Sequence, residues 1–147
     1  EQLPRLRFIT VCGIGTDSVD LEAAKRMGIV VSNIPGKTAP VVAEHAFGLM
    51  LAAAKRAAFQ TSEVRAGRWT LMDNIFLGGK TLGVIGTGPI GARMAALGRG
   101  LGMRVLAWTF HPSDKRAVTL GVEYVELDEL LSESDVVSLH LKLTHDR

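Results

Sequence analysis

The sequence predicts an α/β protein, a parallel sheet covered by helices, and two observations carry that prediction. Apolar runs of strand length alternate with segments of helical periodicity along the chain. A glycine-rich turn, Gly86-Thr87-Gly88-Pro89-Ile90-Gly91, stands where one such strand passes into one such helix.

The elements follow in order. Leu6 to Val11 reads as a strand that leads into the turn Gly13-Ile14-Gly15-Thr16-Asp17. A helix is predicted from about Val19 to Met27, with Asp17 or Ser18 as N-cap and Gly28 as its stop. Ile29-Val30-Val31 is a short buried strand ending at the turn Asn33-Ile34-Pro35-Gly36. A long helix begins near Ala39, with Thr38 as N-cap and Pro40 in its first turn. Val41, Val42, Ala46, Leu49, Met50 and Ala53 recur at helical spacing, which predicts one broad buried face. The helix is expected to run on, kinked, to Ala66 and to stop at Gly67. Arg68 to Gly79 reads as an irregular crossing segment anchored by Trp69 and Phe76.

From Lys80 onward the alternation is regular. Strands are predicted at Leu82–Gly86, Arg104–Trp108, Val122–Val125 and Asp135–Leu141. Helices are predicted at Pro89–Leu101 and Ser113–Leu120, with a helical turn over Leu127–Leu131. This β-α-β-α-β-α-β series is the pattern of a doubly wound parallel sheet. The break in pattern near Ile34 to Thr38 divides the chain into segments 1–37 and 38–147.

Composition narrows the function classes. A formal charge of +2 without a Lys/Arg run argues against a nucleic-acid surface. Cys12, the single cysteine, rules out an intramolecular disulfide and suits a reducing cytoplasm. The N-terminus has no apolar leader, and the most apolar stretch, Ala46 to Ala54, is shorter than the ~20 residues of a membrane span. A cytoplasmic protein is expected. No spacing of Cys, His, Asp and Glu suggests a metal site. The chain opens without Met and closes on Thr144-His145-Asp146-Arg147 directly after a strand, so both ends read as cuts in something larger.

The glycine turn carries the chemistry. Gly86 allows a tight turn, Gly88 lets a pyrophosphate approach the backbone, and Gly91 lets the helix pack closely on the strand. The helix N-terminus then presents N–H groups and a positive dipole end to the phosphates. Ile90, Met94, Leu97 and Leu101 share one face of that helix, so the motif has the context of a dinucleotide site. The fold is therefore expected to be Rossmann-type. About 20 residues further on, where an acidic residue usually bonds the adenosine ribose, stands Thr109. An Asp there would repel the 2′-phosphate of NADP, whereas Thr109 repels nothing. His111, Lys115 and Arg116 follow and could meet such a phosphate, or Lys115 and Arg116 are only the solvated face of a short helix. The cofactor is thus NAD or NADP.

The turn Gly13-Ile14-Gly15 lacks a third glycine, because Ser18 stands in its place. It is either an anion-binding turn or an ordinary connection. Among the histidines, His45 and His140 read as packing or hydrogen-bonding residues rather than catalysts, and His111 and His145 as loop residues.

These residues together resemble the D-isomer-specific 2-hydroxyacid dehydrogenases. The resemblance runs through Gly13–Asp20, Ala23–Ile29, Asn33–Gly36, Val42–His45, Gly79–Gly86 and Asp135–Leu141, in that order, and covers nearly the whole chain. It implies that segment 1–37 is the end of a flavodoxin-like substrate domain, and that segment 38–147 is an incomplete NAD(P)-binding domain. It implies a pyrophosphate site at Gly86 to Gly91, with Pro89 and Ile90 against the cofactor and Leu141 where the chain passes it. Ile14 and Gly15 would offer amides to a substrate carboxylate, with Ile14 facing the nicotinamide. Thr109 departs from the family's usual Asp, and Lys142 stands where a small residue or Pro is common.

The implied activity is an NAD(P)-dependent oxidoreductase of small D-2-hydroxy and 2-keto acids, working as a homodimer. Phe47, Leu49, Met50 and Leu51 lie on more than one face of the long helix, which also favours association. The family's catalytic Arg, Glu and His lie beyond the matched motifs, so no catalytic residue is assigned and the chain by itself is expected to be inactive. The alternatives are a non-catalytic, co-repressor-like NAD(H)-binding module and another NAD-using enzyme such as an alanine dehydrogenase-like protein.

Overall fold

The structure, a computed structural model, describes residue 3 and residues 5–142. The chain divides into two compact units, residues 1–39 and 40–147. In the first, β1 (Phe8–Thr10) and β2 (Val30–Ser32) pair in parallel around the connecting α1 (Leu21–Arg26). β1 is shorter than the apolar run suggested, and β2 keeps three residues but is shifted by one and is not buried as expected, Val30 being exposed.

The first helix also starts later than expected. Its N-cap is Asp20, whose carboxylate accepts from the Ala23 N–H at 2.8 Å, and not Asp17 or Ser18. Residues 16–19 form a separate turn, closed by the Val19 N–H on the Thr16 carbonyl at 2.9 Å. The glycine turn after β1 therefore does not open directly into a helix. Gly28 ends α1 with φ of +67°, a conformation that costs glycine little.

The second unit opens on α2 (Ala39–Ala54) and α3 (Ala57–Arg65). The expected kink is a full break. Arg56 lies in the left-handed region with φ of 52°, at a cost of about 1–2 kcal/mol for a residue with a Cβ. The Ile75 N–H takes the Ala54 carbonyl at 3.0 Å, and the Lys55 ammonium reaches the Ile75 carbonyl at 2.7 Å. The crossing segment thus caps α2.

The broad buried face predicted for this helix is narrower than expected. Met50 and Ala54 enter the core with Ala46, Phe47 and Leu51 against it, while Val41, Val42 and Leu49 are exposed. Only the C-terminal half of α2 meets the sheet's core. The crossing segment's anchor is likewise neither Trp69 (84% exposed) nor Phe76 (76% exposed) but Leu77, which is 2% exposed. In extended chain neighbouring side chains point to opposite sides, so seating Leu77 turns Phe76 outward.

The rest of the unit is a parallel sheet. Its strands are β3 (Thr81–Ile85), β4 (Arg104–Trp108), β5 (Glu123–Tyr124) and β6 (Val136–Leu139). The intervening helices are α4 (Pro89–Gly100), α5 (Asp114–Leu120) and α6 (Leu127–Glu133). The order across the sheet is β5-β4-β3-β6, with Ile85 opposite Trp108 on one side of β3 and opposite Leu139 on the other. The chain steps outward from β3 to β5 and then returns to the far side of β3. This reversal is a topological switch point, and ligands of such sheets bind at the carboxyl ends of strands there.

The inner strands carry near-continuous apolar runs because helices cover both faces. Leu82, Val84, Val105 and Ala107 pack with Met94 and Ala95 of α4, while Leu106 and Leu130 of α6 are fully buried. A Cβ on Gly83 would run into Leu130 and Ser134, so glycine there lets α6 lie directly on β3. At the amino end of the sheet the charges pair among themselves. Arg104 bridges Glu123 (2.9 Å) and Glu133 (2.7 Å), and Lys80 meets Asp135 at 3.2 Å. No helix among the described residues is long and apolar enough to cross a membrane.

Candidate dinucleotide site

The carboxyl end of β3 presents a different chemistry from the amino end. Ile85 closes the strand, its carbonyl accepting from the His140 N–H at 2.7 Å, and the Gly86 N–H donates to the Trp108 carbonyl at 2.8 Å. Gly86 then turns with φ of +93°, and a Cβ on it would lie 2.8 Å from the His140 carbonyl and from Leu141 Cδ2. Gly91, one turn into α4, packs so closely that a Cβ would overlap the Gly86 carbonyl. Both glycines are demanded by the protein itself.

Gly88 is different. It is the N-cap of α4, with φ of −64°, a conformation open to any residue. A Cβ there would meet nothing within 4 Å among the described residues. No steric clash demands glycine at this position, although an N-cap favours it over larger apolar residues. A bulky ligand lying over the turn adds a stricter demand, because a pyrophosphate held by backbone amides leaves no room for a side chain. Pro89 follows at the head of α4, where a missing N–H costs no helical bond, and Ile90 is half-buried behind it. Exposed backbone at a helix N-terminus, on a twelve-residue helix at the switch point, fits a dinucleotide pyrophosphate.

Thr87 is gripped from the opposite side. It is 2% exposed; its hydroxyl shares a 2.8 Å hydrogen bond with the Tyr124 phenol, and its carbonyl accepts from the Arg116 guanidinium. Arg116 is therefore more than part of a solvated helix face. The sequence pattern places Thr87 in the turn but gives it no role, and it does not single out Tyr124. The one legible clue was that a Thr between two turn glycines at a buried strand end needs a polar partner, and Tyr124 is the chain's single tyrosine.

Thr109 follows Trp108 at the end of β4, and the Gly86-to-Trp108 bond sets it beside the glycine turn. It lines a cleft of about 320 Å³ with Trp108, Phe110, Pro112, Tyr124 and Glu126. Trp108 and Phe110 stack edge to face with centroids 4.7 Å apart. Leu141 lies beside Gly86, and His111 and Lys115 are exposed. His140 is half-buried, with Nε2 sharing a 2.9 Å hydrogen bond with the Ser138 hydroxyl, and burial pushes its imidazole below the ordinary value.

In the first unit, Ile14 and Gly15 sit in the turn after β1. The Ile34 N–H donates to the Gly13 carbonyl at 3.0 Å, and the Asn33 side-chain amide donates to the Ile14 carbonyl at 2.7 Å. A planar trans peptide points its C=O and N–H in opposite directions. Fixing those two carbonyls toward the end of β2 turns the Ile14 and Gly15 N–H groups the other way.

The geometry is matched by known proteins. Residues 47–147 match the NAD binding domain of the D-isomer specific 2-hydroxyacid dehydrogenases. The chain belongs to that family. A glyoxylate reductase of Aeropyrum pernix is 41% identical over 99% of this chain, and a hydroxypyruvate reductase of Thermotoga maritima is 45% identical over 95% of it. Those alignments take up 46% and 45% of the two relatives, so the chain spans under half of their length. The apo-structure of D-lactate dehydrogenase from Escherichia coli superposes with a TM-score of 0.86 at 42% identity, over 95% of this chain and 45% of that one. A D-lactate dehydrogenase from Aquifex aeolicus, solved with NAD and lactic acid, gives 0.81 at 38% identity, over 99% of this chain and 44% of that one. A D-2-hydroxyacid dehydrogenase fold accounts for the switch point and the glycine turn together.

Proposed function

We propose that this chain carries the cofactor-binding turn and the carboxylate-binding turn of a nicotinamide-linked oxidoreductase acting on small D-2-hydroxy and 2-keto acids. The observation that carries the reading is where Gly88 stands: a glycine with ordinary backbone and open space above it, at the N-terminus of α4 on the switch point of the sheet, where a bound pyrophosphate supplies a reason for it. When bound, the nicotinamide supplies or accepts the hydride. Gly86, Gly88, Pro89, Ile90 and Gly91 hold the phosphates, Thr109 meets the adenosine ribose, and Leu141 lies along the cofactor. The amides of Ile14 and Gly15 bind the substrate carboxylate. The names of the relatives, reductases of glyoxylate and hydroxypyruvate and a D-lactate dehydrogenase, support the small-acid class.

These 147 residues by themselves bind cofactor without turning over substrate. His140 supports this: its ring pairs with Ser138 rather than a carboxylate, and burial disfavours the protonated form that a proton donor needs. The exposed apolar residues Val41, Leu49, Phe59 and Val64 of α2 and α3 support a homodimer, which sedimentation at tens of micromolar would show (an order of magnitude within the transient-affinity range).

Calorimetric titration with NADH and NADPH tests the cofactor site. Gly88→Val should abolish binding while leaving the melting transition in place. Equal affinity in variant and wild type would remove the assignment.

A further inference from the structure

We propose that Arg116 is a positioning residue for the dinucleotide pyrophosphate: by holding the Thr87 carbonyl it aims the Gly88 N–H at the phosphates. The inference rests on the reading of Gly86 to Gly91 as the pyrophosphate turn. Its basis is the peptide between Thr87 and Gly88. Arg116, on α5, donates to the Thr87 carbonyl, and Tyr124, on β5, holds the Thr87 side chain at 2.8 Å. Two elements that follow β4 in the chain thus grip one residue of a turn that follows β3.

The planar trans peptide converts that grip into a direction. With the Thr87 C=O fixed toward α5, the Gly88 N–H points away from α5. Gly88 is exposed and has no described atom within 4 Å of where its Cβ would stand. A glycine N-cap unsupported by a side-chain hydrogen bond could rotate its preceding peptide at little cost. Arg116 removes that freedom before any ligand arrives, so less ordering is left for binding to do. The grip is charge-assisted, the stronger class of hydrogen bond.

The test uses Arg116→Gln, Arg116→Lys and Tyr124→Phe in the whole chain, titrated with NADH, NADPH, ADP and adenosine. Arg116→Gln should weaken NADH and ADP alike by roughly tenfold or more, the scale of a lost hydrogen bond to a charged group. Adenosine, which has no pyrophosphate, should bind within about twofold of wild type by the same reasoning. The NADPH to NADH ratio should not change. Arg116→Lys should recover part of the loss, and Tyr124→Phe should show a smaller loss in the same direction. In the unliganded protein the amide resonance of Gly88 should shift in Arg116→Gln, a readout independent of any cofactor.

Unchanged NADH affinity, or an adenosine loss equal to that for NADH, would overturn the proposal. So would a loss confined to NADPH, which would make Arg116 a ligand of the 2′-phosphate. If Arg116→Gln does not fold, the other two variants decide between the same outcomes. Wild-type protein that binds neither NADH nor ADP would instead defeat the cofactor reading itself.

Discussion

The side-chain amide of Asn33 donates to the carbonyl of Ile14 at 2.7 Å, across nineteen residues of sequence. This bond ties the turn after β1 to the end of β2 and sets the direction of the Gly15 N–H. On the proposed function, Asn33→Ala should weaken binding of a small 2-keto acid by roughly three- to tenfold, the value of one hydrogen bond. NADH affinity should hold. Calorimetric titration of the cofactor-loaded chain with the acid, beside titration with NADH, decides the matter, and a change confined to the cofactor would disprove the role.

Gly91 and Gly88 should separate stability from binding. Gly91→Ala forces a methyl group into the Gly86 carbonyl, which α4 relieves only by moving off β3. A loss of about 1–3 kcal/mol or more is expected, as for overpacking of a tight core. Urea denaturation measures it. An unchanged midpoint would show that the helix has slack.

Thr109 is the position that should tune cofactor choice. Thr109→Asp places a carboxylate beside the glycine turn, where it repels a 2′-phosphate and accepts from a 2′-hydroxyl. The NADPH to NADH affinity ratio should fall by about tenfold or more, a shift of ~1.4 kcal/mol. A constant ratio would mean that the ribose lies elsewhere.

His140 predicts a pH dependence. Burial lowers its folded pKa, so on acidification the unfolded chain takes up a proton first, near the ordinary value of about 6.5. The stabilisation is complete above that value and is lost as pH falls through the folded pKa. The urea midpoint of the wild type should therefore drop between neutral and mildly acidic pH, and that of His140→Gln should drop less. Parallel curves would show that the imidazole is as free in the fold as out of it. Asp135 acts in a separate window. The Thr81 N–H and Lys80 hold its carboxyl below the usual range, so its contribution fades only in more strongly acidic solution.

Much of this architecture was legible in the residues. The strand Arg104–Trp108 was predicted at its observed bounds, and the helix ending at Leu120 before Gly121 needed only its first residue trimmed to the N-cap. Local chemistry fixes both: an apolar run buried on two faces, and a glycine that turns left-handed at φ of +61°. The break at Arg56 was not legible in full, because the group that ends α2 is the Ile75 N–H, twenty-one residues away from Ala54. The pair Phe76 and Leu77 was misjudged because size favours Phe, while the phase of an extended segment is set by where it lands. Arg116 stands between two readings in the sequence for a different reason: its partner is a backbone carbonyl, which no side-chain pattern announces.

Position 88 has a consequence for descent. Gly86 and Gly91 are held by the protein's own shape, so any lineage that keeps this sheet must keep them, whether or not it still uses a nucleotide. At Gly88 no clash within the chain enforces glycine, so on the proposed cofactor reading the ligand is the stricter constraint there. A descendant that gave up its cofactor would drift there first, acquiring a side chain without a clash in the fold. The middle glycine of the three is thus a ledger of use, and a relative with the outer two intact and a bulky residue between them would be a scaffold that has left its chemistry behind.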